Sequence, residues 1–422
     1  MARKMKDSGI EWIGEIPEGW RTINPKALFT QRKDKAQKGE RQLTSSQQYG
    51  ILYQDDYMEL TGSKVVTVEK DFDILKHVEA GDFVISMRSF QGGLEYSTKS
   101  GAISSAYVML VPNLELVYPR FYRWLLKSSV YIDALQRTTN MVRDGQAMRY
   151  SNFAQVRLFT LPLDEQKSRA DFLDLECSSI DKILFKTRSS IEEYKKLKQA
   201  VITQAVTKGV RGEREMKDSG VEWIGEIPKE WDILNLVAHT SMLTPMRDRP
   251  ENLDGPIPWI RIEDFDGKYI SSSKASLGVS KETVQSMNLK IYPVGTILCT
   301  SSCIMGKCAI VSRELVSNQR FIGIIPDQNT CENFLYYLML SNSERMNYLA
   351  TGALQANLSR SSFEHLKVQF PSYQEQKEIA DYLDAKCAEI DGLIAKKEQL
   401  VKELESYKKS LIYEVVTGKR EV

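Results

Sequence analysis

The chain has 422 residues, and 57 Lys and Arg face 56 Asp and Glu, so its formal net charge is +1. Its apolar content of 42% and charged content of 27% exclude a disordered chain, a collagen-like fibre and a small disulfide-rich domain. Six cysteines in so long a chain are expected to be free thiols. With no secretory signal and no apolar run of about 18 residues, we expect a cytoplasmic protein. Balanced charge leaves a nucleic-acid partner open, because phosphate contacts depend on where charge is placed.

The first feature along the chain is a repeated opening motif. Residues 5–20 (MKDSGIEWIGEIPEGW) return as residues 216–231 (MKDSGVEWIGEIPKEW), with thirteen of sixteen positions identical. Four of the six tryptophans lie in these two copies. The match predicts an internal duplication.

Each opening motif is followed by an insert of similar length, residues 21–161 and 232–370. The two inserts differ strongly, yet both carry a short apolar strand after a turn (GDFV at 81–84, GTIL at 295–298). A second apolar run follows in each, YVMLVP and FIGIIP, and then an apolar helical segment. We therefore expect one α+β fold that was duplicated and then diverged.

A long helix is predicted after each insert, beginning behind Pro162 and Pro371. Asp164 is a candidate N-cap for the first helix, and Ser372 with Glu375 fits a capping box for the second. The apolar stripes follow 3- and 4-residue steps, and Lys198 and Lys408 interrupt them at one shared position. The stripe residues expected to pair the helices are Ile180, Leu184, Ile191, Tyr194, Val201, Ala205, Ile390, Ile394, Val401, Leu404, Leu411 and Val415.

About 30 residues of unbroken heptads predict a rod roughly 45 Å long, although an amphipathic helix lying on a globular domain is the alternative. Pairing the second stripe with the first requires antiparallel helices. The expected fold is therefore two similar globular domains separated by a long antiparallel two-helix coiled coil with pseudo-two-fold symmetry. Such a spaced pair suits DNA half-sites, which paired modules read about one helical turn apart.

The search for catalytic motifs leaves the chain without an enzymatic assignment. No phosphate-binding loop or Gly-x-Gly-x-x-Gly pattern is present, and the three histidines form no nucleophile–base pattern. Cys299, Cys303 and Cys308 lie close in sequence, but their spacing is not that of a zinc site, and no metal is expected.

Polar loops in both inserts carry the candidate DNA contacts, because Arg reads guanine, Gln and Asn read adenine, and Ser and Lys bind phosphates. For each residue an ordinary solvated loop is the alternative. Lys195, Lys196, Lys408 and Lys409 on the helices are expected to form a solvated face rather than a DNA patch. The candidates are Arg88, Ser89, Gln91, Lys99, Arg143, Gln146, Arg149, Ser301, Ser302, Lys307, Gln319, Arg320, Gln355, Asn357 and Arg360.

A resemblance to a known family rests on two repeated motifs. One is the opening motif, and the other is Pro-x(2,3)-Glu-Gln-x(3,4)-Ala-x-x-Leu-Asp, found in the segments 162–174 and 371–384. The chain resembles the specificity (S) subunit of type I restriction–modification systems over nearly its whole length. The first of these segments is shortened, with Arg169 where the second has Ile379. The domains implied are residues 1–161 (opening motif and target-recognition domain 1), 162–210 (central spacer helix), 211–371 (linker, second opening motif and target-recognition domain 2) and 372–422 (C-terminal spacer helix).

The resemblance implies a non-catalytic subunit that reads a bipartite, asymmetric site in double-stranded DNA. Two methyltransferase (M) subunits, which methylate adenine at N6, and endonuclease/translocase (R) subunits are its implied partners, docking on the helices and opening motifs. No cofactor is expected in this chain; S-adenosylmethionine, ATP and Mg²⁺ are expected in the partner subunits. The competing hypotheses are a protein–protein scaffold and a stand-alone DNA enzyme.

Overall fold

The computed structural model describes residues 3–68, 72–86, 94–138, 149–245, 248–302, 306–350 and 358–422. The chain divides into two compact units. Unit 1 consists of Met1–Arg188 and Gln399–Val422, and unit 2 consists of Ser189–Glu398. Within the described ranges, no helix has both the length and the apolarity needed to cross a membrane.

Unit 1 combines short antiparallel strands with helices. Its strands are β1 Met5–Asp7, β2 Glu15–Pro17, β3 Arg21–Ile23, β4 Phe29–Arg32, β5 Leu43–Ser46, β6 Gly50–Tyr53, β7 Lys76–Val78, β8 Phe83–Ser86, β9 Leu94–Tyr96, β10 Gly101–Ile103, β11 Tyr107–Pro112 and β12 Leu158–Thr160. Its helices are α1 Pro25–Leu28, α2 Gln54–Thr61, α3 Pro119–Lys127, α4 Ser129–Gln136, α5 Tyr150–Phe153, the first part of α6 Leu163–Lys208 and the last part of α11 Tyr373–Val416.

Unit 2 repeats this plan. Its strands are β13 Met216–Asp218, β14 Glu226–Pro228, β15 Asp232–Asn235, β16 Thr240–Leu243, β17 Ile257–Ile260, β18 Tyr269–Ile270, β19 Gly278–Val279, β20 Ile297–Thr300, β21 Cys308–Val311, β22 Val316–Ser317, β23 Phe321–Pro326 and β24 Lys367–Phe370. Its helices are the last part of α6, α7 Lys281–Ser286, α8 Glu332–Ser341, α9 Ser343–Leu349, α10 Arg360–Glu364 and the first part of α11 Tyr373–Val416. Short 3₁₀ helices in the described part of the chain are Phe72–Ile74, Leu236–Ala238 and Ile262–Asp264.

The central sheets of the two units match strand for strand. The order in unit 1 is β4-β11-β8-β9, and in unit 2 it is β16-β23-β20-β21, with β18 added in parallel at the edge. The four matching strands also occur in the same order along the chain, β4, β8, β9 and β11 in unit 1 and β16, β20, β21 and β23 in unit 2. Helix α3 corresponds to α8. The predicted α+β class and the similarity of the two inserts are confirmed.

The core of each unit forms because these strands and helices bury continuous apolar faces. Strands β8 and β20 read FVIS and ILCT and are buried on both faces, so their side chains pack on either side of the sheet. In unit 1 the core joins Phe29, Phe83 and Phe121 with Leu173 of α6 and Val415 of α11. In unit 2 the equivalent cluster joins strand residues with Val206 of α6 and Leu383 of α11.

The two long helices run antiparallel within each unit. In unit 1, Lys408 Nζ lies 2.6 Å from the Asp181 carboxylate, and Arg188 pairs with Glu405. In unit 2, Lys198 Nζ lies 2.5 Å from Asp391 Oδ2. Residue numbers therefore rise on one helix as they fall on the other, as predicted. The helices span 46 and 44 residues, longer than the heptad stripe, because their first turns pack into the unit cores.

Each repeated opening motif is a β-hairpin whose last tryptophan is buried. Trp20 is 0% exposed and Trp231 is 1% exposed. Trp20 Nε1 donates to Glu165 Oε2 at 3.1 Å, and Trp231 Nε1 donates to Glu375 Oε2 at 3.0 Å. These two tryptophans therefore anchor the opening motifs to the long helices and offer no surface to a partner.

The Glu-Gln pair at the start of each long helix has a structural explanation. Gln166 accepts from the Tyr118 backbone N–H and donates to the Leu161 carbonyl. Gln376 repeats this with Cys331 and Pro371. These amides satisfy backbone groups where the insert meets the helix, and the neighbouring glutamates bind the buried tryptophans, so both residue types have the same role in the two copies.

Two sequence expectations about the helices are wrong. Asp164 is not the N-cap of the first helix, because the helix begins at Leu163 and Asp164 lies in its first turn. Lys408 does not lie on a solvated face: its side chain is 24% exposed and pairs with Asp181 across the seam. In the second helix Ser372 Oγ accepts from the Glu375 backbone N–H, which is the serine half of the predicted capping box, whereas the Glu375 carboxylate binds Trp231 Nε1 and Arg214.

Candidate functional site

In unit 2 the structure brings together three of the polar segments singled out in the sequence. The Ser301 backbone N–H donates to the Arg320 carbonyl at 2.8 Å, and the Leu358 N–H donates to the Ser301 carbonyl at 2.9 Å. The described residues 300–302, 306–307, 317–321 and 358–361 are thereby gathered at one end of the five-stranded sheet. Because backbone bonds hold them, the side chains of these loops are presented from a fixed frame.

A cationic cavity of about 330 Å³ adjoins the 317–321 segment. Three arginines, Arg249, Arg261 and Arg320, line it with Asn318 and Gln319, and the remaining lining residues are Leu253, Trp259, Ile262, Glu263 and Leu277. Three guanidinium groups against one carboxylate make this cavity attractive to an anion or to the acceptor edge of a base.

The buried Nε of Arg261 supports a ligand role for this cavity. Among the described residues, that nitrogen has no hydrogen-bond acceptor although it is shielded from water. An unsatisfied buried donor costs about 1–3 kcal/mol. Neither Arg249 nor Arg261 was a sequence candidate, because they lie more than 50 residues before Arg320 and only the fold brings them to it.

The other unit 2 candidates take different positions. Lys307 is exposed at the end of the hairpin loop, and its backbone N–H donates to Thr300 Oγ1 at 3.2 Å. Ser302 is 8% exposed, so its hydroxyl is largely withdrawn from the surface. Arg360 donates to Glu364 within α10 at 2.7 Å, which neutralises part of its charge. Gln319 and Arg320 are exposed. Gln355 and Asn357 lie outside the described residues.

In unit 1 the described candidates are Lys99 and Arg149. Lys99 Nζ lies 4.7 Å from the Tyr53 ring centroid, and the Arg41 guanidinium lies 3.7 Å from the same ring. Asp55 and Asp56 form ion pairs with Arg41, at 2.6 and 3.0 Å. The sequence did not predict that Arg41, Tyr53 and Lys99 form a group, because Arg41 lies 12 positions before Tyr53 and Lys99 lies 46 positions after it.

Arg149 is exposed and caps α5, where its backbone N–H donates to Asn152 Oδ1. The remaining unit 1 candidates, Arg88, Ser89, Gln91, Arg143 and Gln146, lie outside the described residues. The segment that carries Arg88, Ser89 and Gln91 follows β8 directly, as residues 301–307 follow β20. The duplicated sheet therefore starts a polar hairpin loop at the same place in both units.

The helix-stripe residues lie along the interior of the helix pairs. Ile180, Leu184, Leu411 and Val415 belong to the unit 1 core, with Val401 and Leu404 partly buried against it. Ala205 belongs to the unit 2 core, with Val201 packed beside it. Ile191 and Ile390 are buried, and Tyr194 and Ile394 are partly exposed. In the described ranges, no three His, Cys, Asp or Glu side chains are grouped so that they could hold a metal ion.

Comparison with known proteins gives one family model and several relatives. The family model, described as a type I restriction modification DNA specificity domain, matches residues 232–403. The MjaIX specificity subunit of Methanocaldococcus jannaschii is 34% identical over 181 residues, which is 41% of each chain. The putative MjaX specificity subunit of the same organism is 24% identical over 96% of this chain and 95% of its own. The EcoKI specificity subunit of Escherichia coli is 26% identical over 46% of this chain and 44% of its own.

Two solved structures share the fold over nearly the whole chain. A chain from a study of complex assembly and conformational transition of the type I R-M system has a TM-score of 0.73 and 12% identity, covering 96% of this chain and 99% of its own. The HsdS subunit of Thermoanaerobacter tengcongensis has a TM-score of 0.53 and 13% identity, covering 96% and 98%.

Proposed function

The chain belongs to the specificity subunits of type I restriction–modification systems, which are non-catalytic, and we propose that it reads a two-part DNA site and positions the catalytic subunits there. Unit 1 would read one half of the site and unit 2 the other. Methyltransferase subunits and endonuclease/translocase subunits are the proposed partners. S-adenosylmethionine, ATP and Mg²⁺ belong to those partners in this proposal.

The observation that carries the proposal is the pairing of a repeated frame with changed loops. Both units keep the four-stranded sheet, the buried tryptophan and the Glu-Gln helix start. The hairpin loops differ: SMRSFQGG at 86–93 stands where unit 2 has TSSCIMGK at 300–307. A frame that is held constant while its polar loops change is what two readers of different half-sites require.

The cavity of Arg249, Arg261 and Arg320 supports a reading role for unit 2 in particular. Arginine forms bidentate bonds to the guanine O6 and N7 edge, and the amides of Asn318 and Gln319 match the adenine edge. Trp259, 3% exposed, supports the cavity wall from the core. We propose that this cavity faces the DNA groove and carries base-specific contacts.

Long-read sequencing of native DNA tests the proposal. The chain is expressed with and without its cognate methyltransferase subunit, and N6-methyladenine is mapped along the genome. We expect a split motif with methylated adenines on opposite strands, only when both proteins are present. If the two proteins form a complex and no motif appears, the DNA-reading proposal is wrong and the scaffold hypothesis gains.

An exchange of the second insert shows which half of the DNA site unit 2 reads. Residues 232–370 are replaced by the corresponding insert of a relative with a different motif. We expect one half of the methylated motif to change while the other half and the spacing are kept. A change in both halves would contradict the division of labour between the units.

A further inference from the structure

Two cysteines face each other across neighbouring strands of the unit 2 sheet. Cys299 on β20 is paired with Cys308 on β21, and their sulfur atoms lie 2.9 Å apart. Cys299 is 0% exposed and Cys308 is 6% exposed. Both side chains belong to the unit 2 core cluster.

The strand register places this pair where a covalent link fits. The Thr300 N–H donates to the Lys307 carbonyl, and the Val311 N–H donates to the Thr296 carbonyl. Hydrogen-bonded pairs alternate with non-hydrogen-bonded pairs along an antiparallel ladder, so Cys299 and Cys308 form a non-hydrogen-bonded pair. The Cα atoms of such a pair are about 4.5 Å apart, which lies within the range that a disulfide spans.

Unit 1 shows that the fold does not need cysteines at this position. Ile85 on β8 and Leu94 on β9 form the matching pair, and both are 0% exposed. Each pair encloses a loop of eight residues, 86–93 in unit 1 and 300–307 in unit 2. Two aliphatic side chains therefore satisfy the packing, and the dithiol is a property of unit 2 alone.

We propose that Cys299 and Cys308 form a reversible, peroxide-sensitive disulfide that closes the base of the 300–307 loop. This modification site goes beyond the proposed DNA-reading function and does not depend on it. Oxidation by hydrogen peroxide begins at Cys308, the more exposed sulfur, which gains an oxygen to become a sulfenic acid as water leaves. The Cys299 sulfur then attacks the Cys308 sulfur and expels the second water. Two thiols and one peroxide thus give one disulfide and two waters, and a thiol reductant reverses the change.

The link would act on the segments gathered at this end of the sheet. Ser301, one residue beyond Thr300, is bonded through its backbone to Arg320 and to Leu358. A covalent bond between β20 and β21 removes independent motion of the two strands that carry the loop. The loop base would then be fixed in relation to the arginine cavity.

Mass spectrometry of the full-length chain tests the proposal. The folded chain is treated with hydrogen peroxide, free thiols are alkylated, and the protein is digested with trypsin. The digest separates residues 291–307, which contain Cys299 and Cys303, from residues 308–313, which contain Cys308. We expect these two peptides linked, with a loss of about 2 Da per chain, and separated again by a thiol reductant.

Two variants make the assignment specific. Cys303→Ser should keep the link, because Cys299 is the proposed partner of Cys308. Cys299→Ile with Cys308→Leu copies the unit 1 pair, so it should fold and show no link between these peptides. The proposal is overturned if both cysteines remain open to alkylation after unfolding of the peroxide-treated chain, or if the link disappears in Cys303→Ser.

Discussion

Arg320, a candidate from the sequence, lines a cavity together with Arg249 and Arg261, which the fold brings to it from distant positions in the chain. Its backbone carbonyl holds Ser301, so its position is set by the sheet rather than by its side-chain contacts. Its side chain is exposed and lines the cationic cavity. At the residue scale this makes Arg320 the sharpest test of base reading in unit 2.

We expect Arg320→Ala to weaken binding of a duplex carrying the methylated motif by about 1–3 kcal/mol, roughly 5- to 150-fold, because one bidentate base contact is lost. Fluorescence anisotropy with the methyltransferase complex measures the affinity. Arg313→Ala is the matched control, since Arg313 follows the far end of β21 and donates to the Pro256 carbonyl. Equal affinities for the two variants would remove Arg320 from the reading surface.

His77 in unit 1 gives an expected pH dependence. Burial acts to lower the pKa of His77, but hydrogen bonds and charge attraction from Glu40 and Glu79 outweigh it and leave the pKa raised. The protonated ring is therefore favoured in the folded state. Its contribution to the free energy of unfolding is fully present below the unfolded-state pKa of about 6.5 and is lost as pH rises through the raised folded pKa.

Thermal unfolding of the full chain across neutral pH measures this effect. We expect His77→Gln to lower the melting temperature on the acidic side of the transition and to change it less on the alkaline side. His365→Gln is the control, because the ring of His365 contacts Ser361 in unit 2. A melting difference that grows towards alkaline pH would contradict the assignment.

Glu165 gives a pH dependence of stability with the opposite sign to that of His77. Burial raises the pKa of Glu165, but hydrogen bonds from Arg3, Arg169 and Trp20 outweigh it and hold the pKa at about 2. Its contribution to stability is present above the unfolded-state pKa of about 4.3 and is lost as pH falls towards 2. We expect Glu165→Gln to lower the melting temperature at neutral pH and to lose this difference on acidification, whereas a constant difference would point to packing alone.

At the scale of elements, the seam between the long helices carries two matching ion pairs. Lys198 with Asp391 in unit 2 and Lys408 with Asp181 in unit 1 occupy equivalent positions, 210 residues apart. Both lysines stand where the heptad pattern calls for an apolar residue. Such polar seam positions commonly fix the register of a helix pair at a cost in stability.

We expect Lys198→Leu with Lys408→Leu to raise the free energy of unfolding by about 1 kcal/mol per site, because apolar side chains would fill the seam while Asp181 and Asp391, both more than half exposed, stay solvated. Chemical denaturation measures the change. Lys195→Leu is the control, since Lys195 is half exposed and pairs with Glu192 on its own helix. A loss of stability in the double variant would show that the ion pairs contribute more than the apolar seam would.

The elements were predictable where a local pattern was repeated, and the site was predictable only in part. Duplication aligned YVMLVP with FIGIIP, and both are strands that pair with the hairpin in the same register. Heptad steps and chain reach required antiparallel helices. The arginine cavity needed Arg249 and Arg261 to meet Arg320, and this depends on pairing between β17 and β22, which no local signal announces. Strand register likewise decides that Cys299 faces Cys308.

At the scale of the whole molecule, a chain with net charge +1 has no general attraction to DNA. Among the described residues, the proposed binding would come from local groups such as the arginine cavity of unit 2 and the Arg41–Lys99 group of unit 1. Asp55 and Asp56 offset part of the charge of Arg41, so unit 2 should supply the larger share. A protein scaffold would instead rely on apolar surfaces, which respond weakly to salt.

The salt dependence of DNA binding separates these two hypotheses. Each phosphate contact contributes about −0.9 to the slope of log affinity against log salt, so three contacts imply a roughly 40-fold loss between 50 and 200 mM salt. We expect at least this loss for the wild-type complex, measured by anisotropy on the duplex with the methylated motif. Arg249→Ala should lower the slope by about 1 if Arg249 binds a phosphate, and should leave it unchanged if Arg249 reads a base. A flat response in the wild-type complex would contradict DNA recognition by these cationic groups.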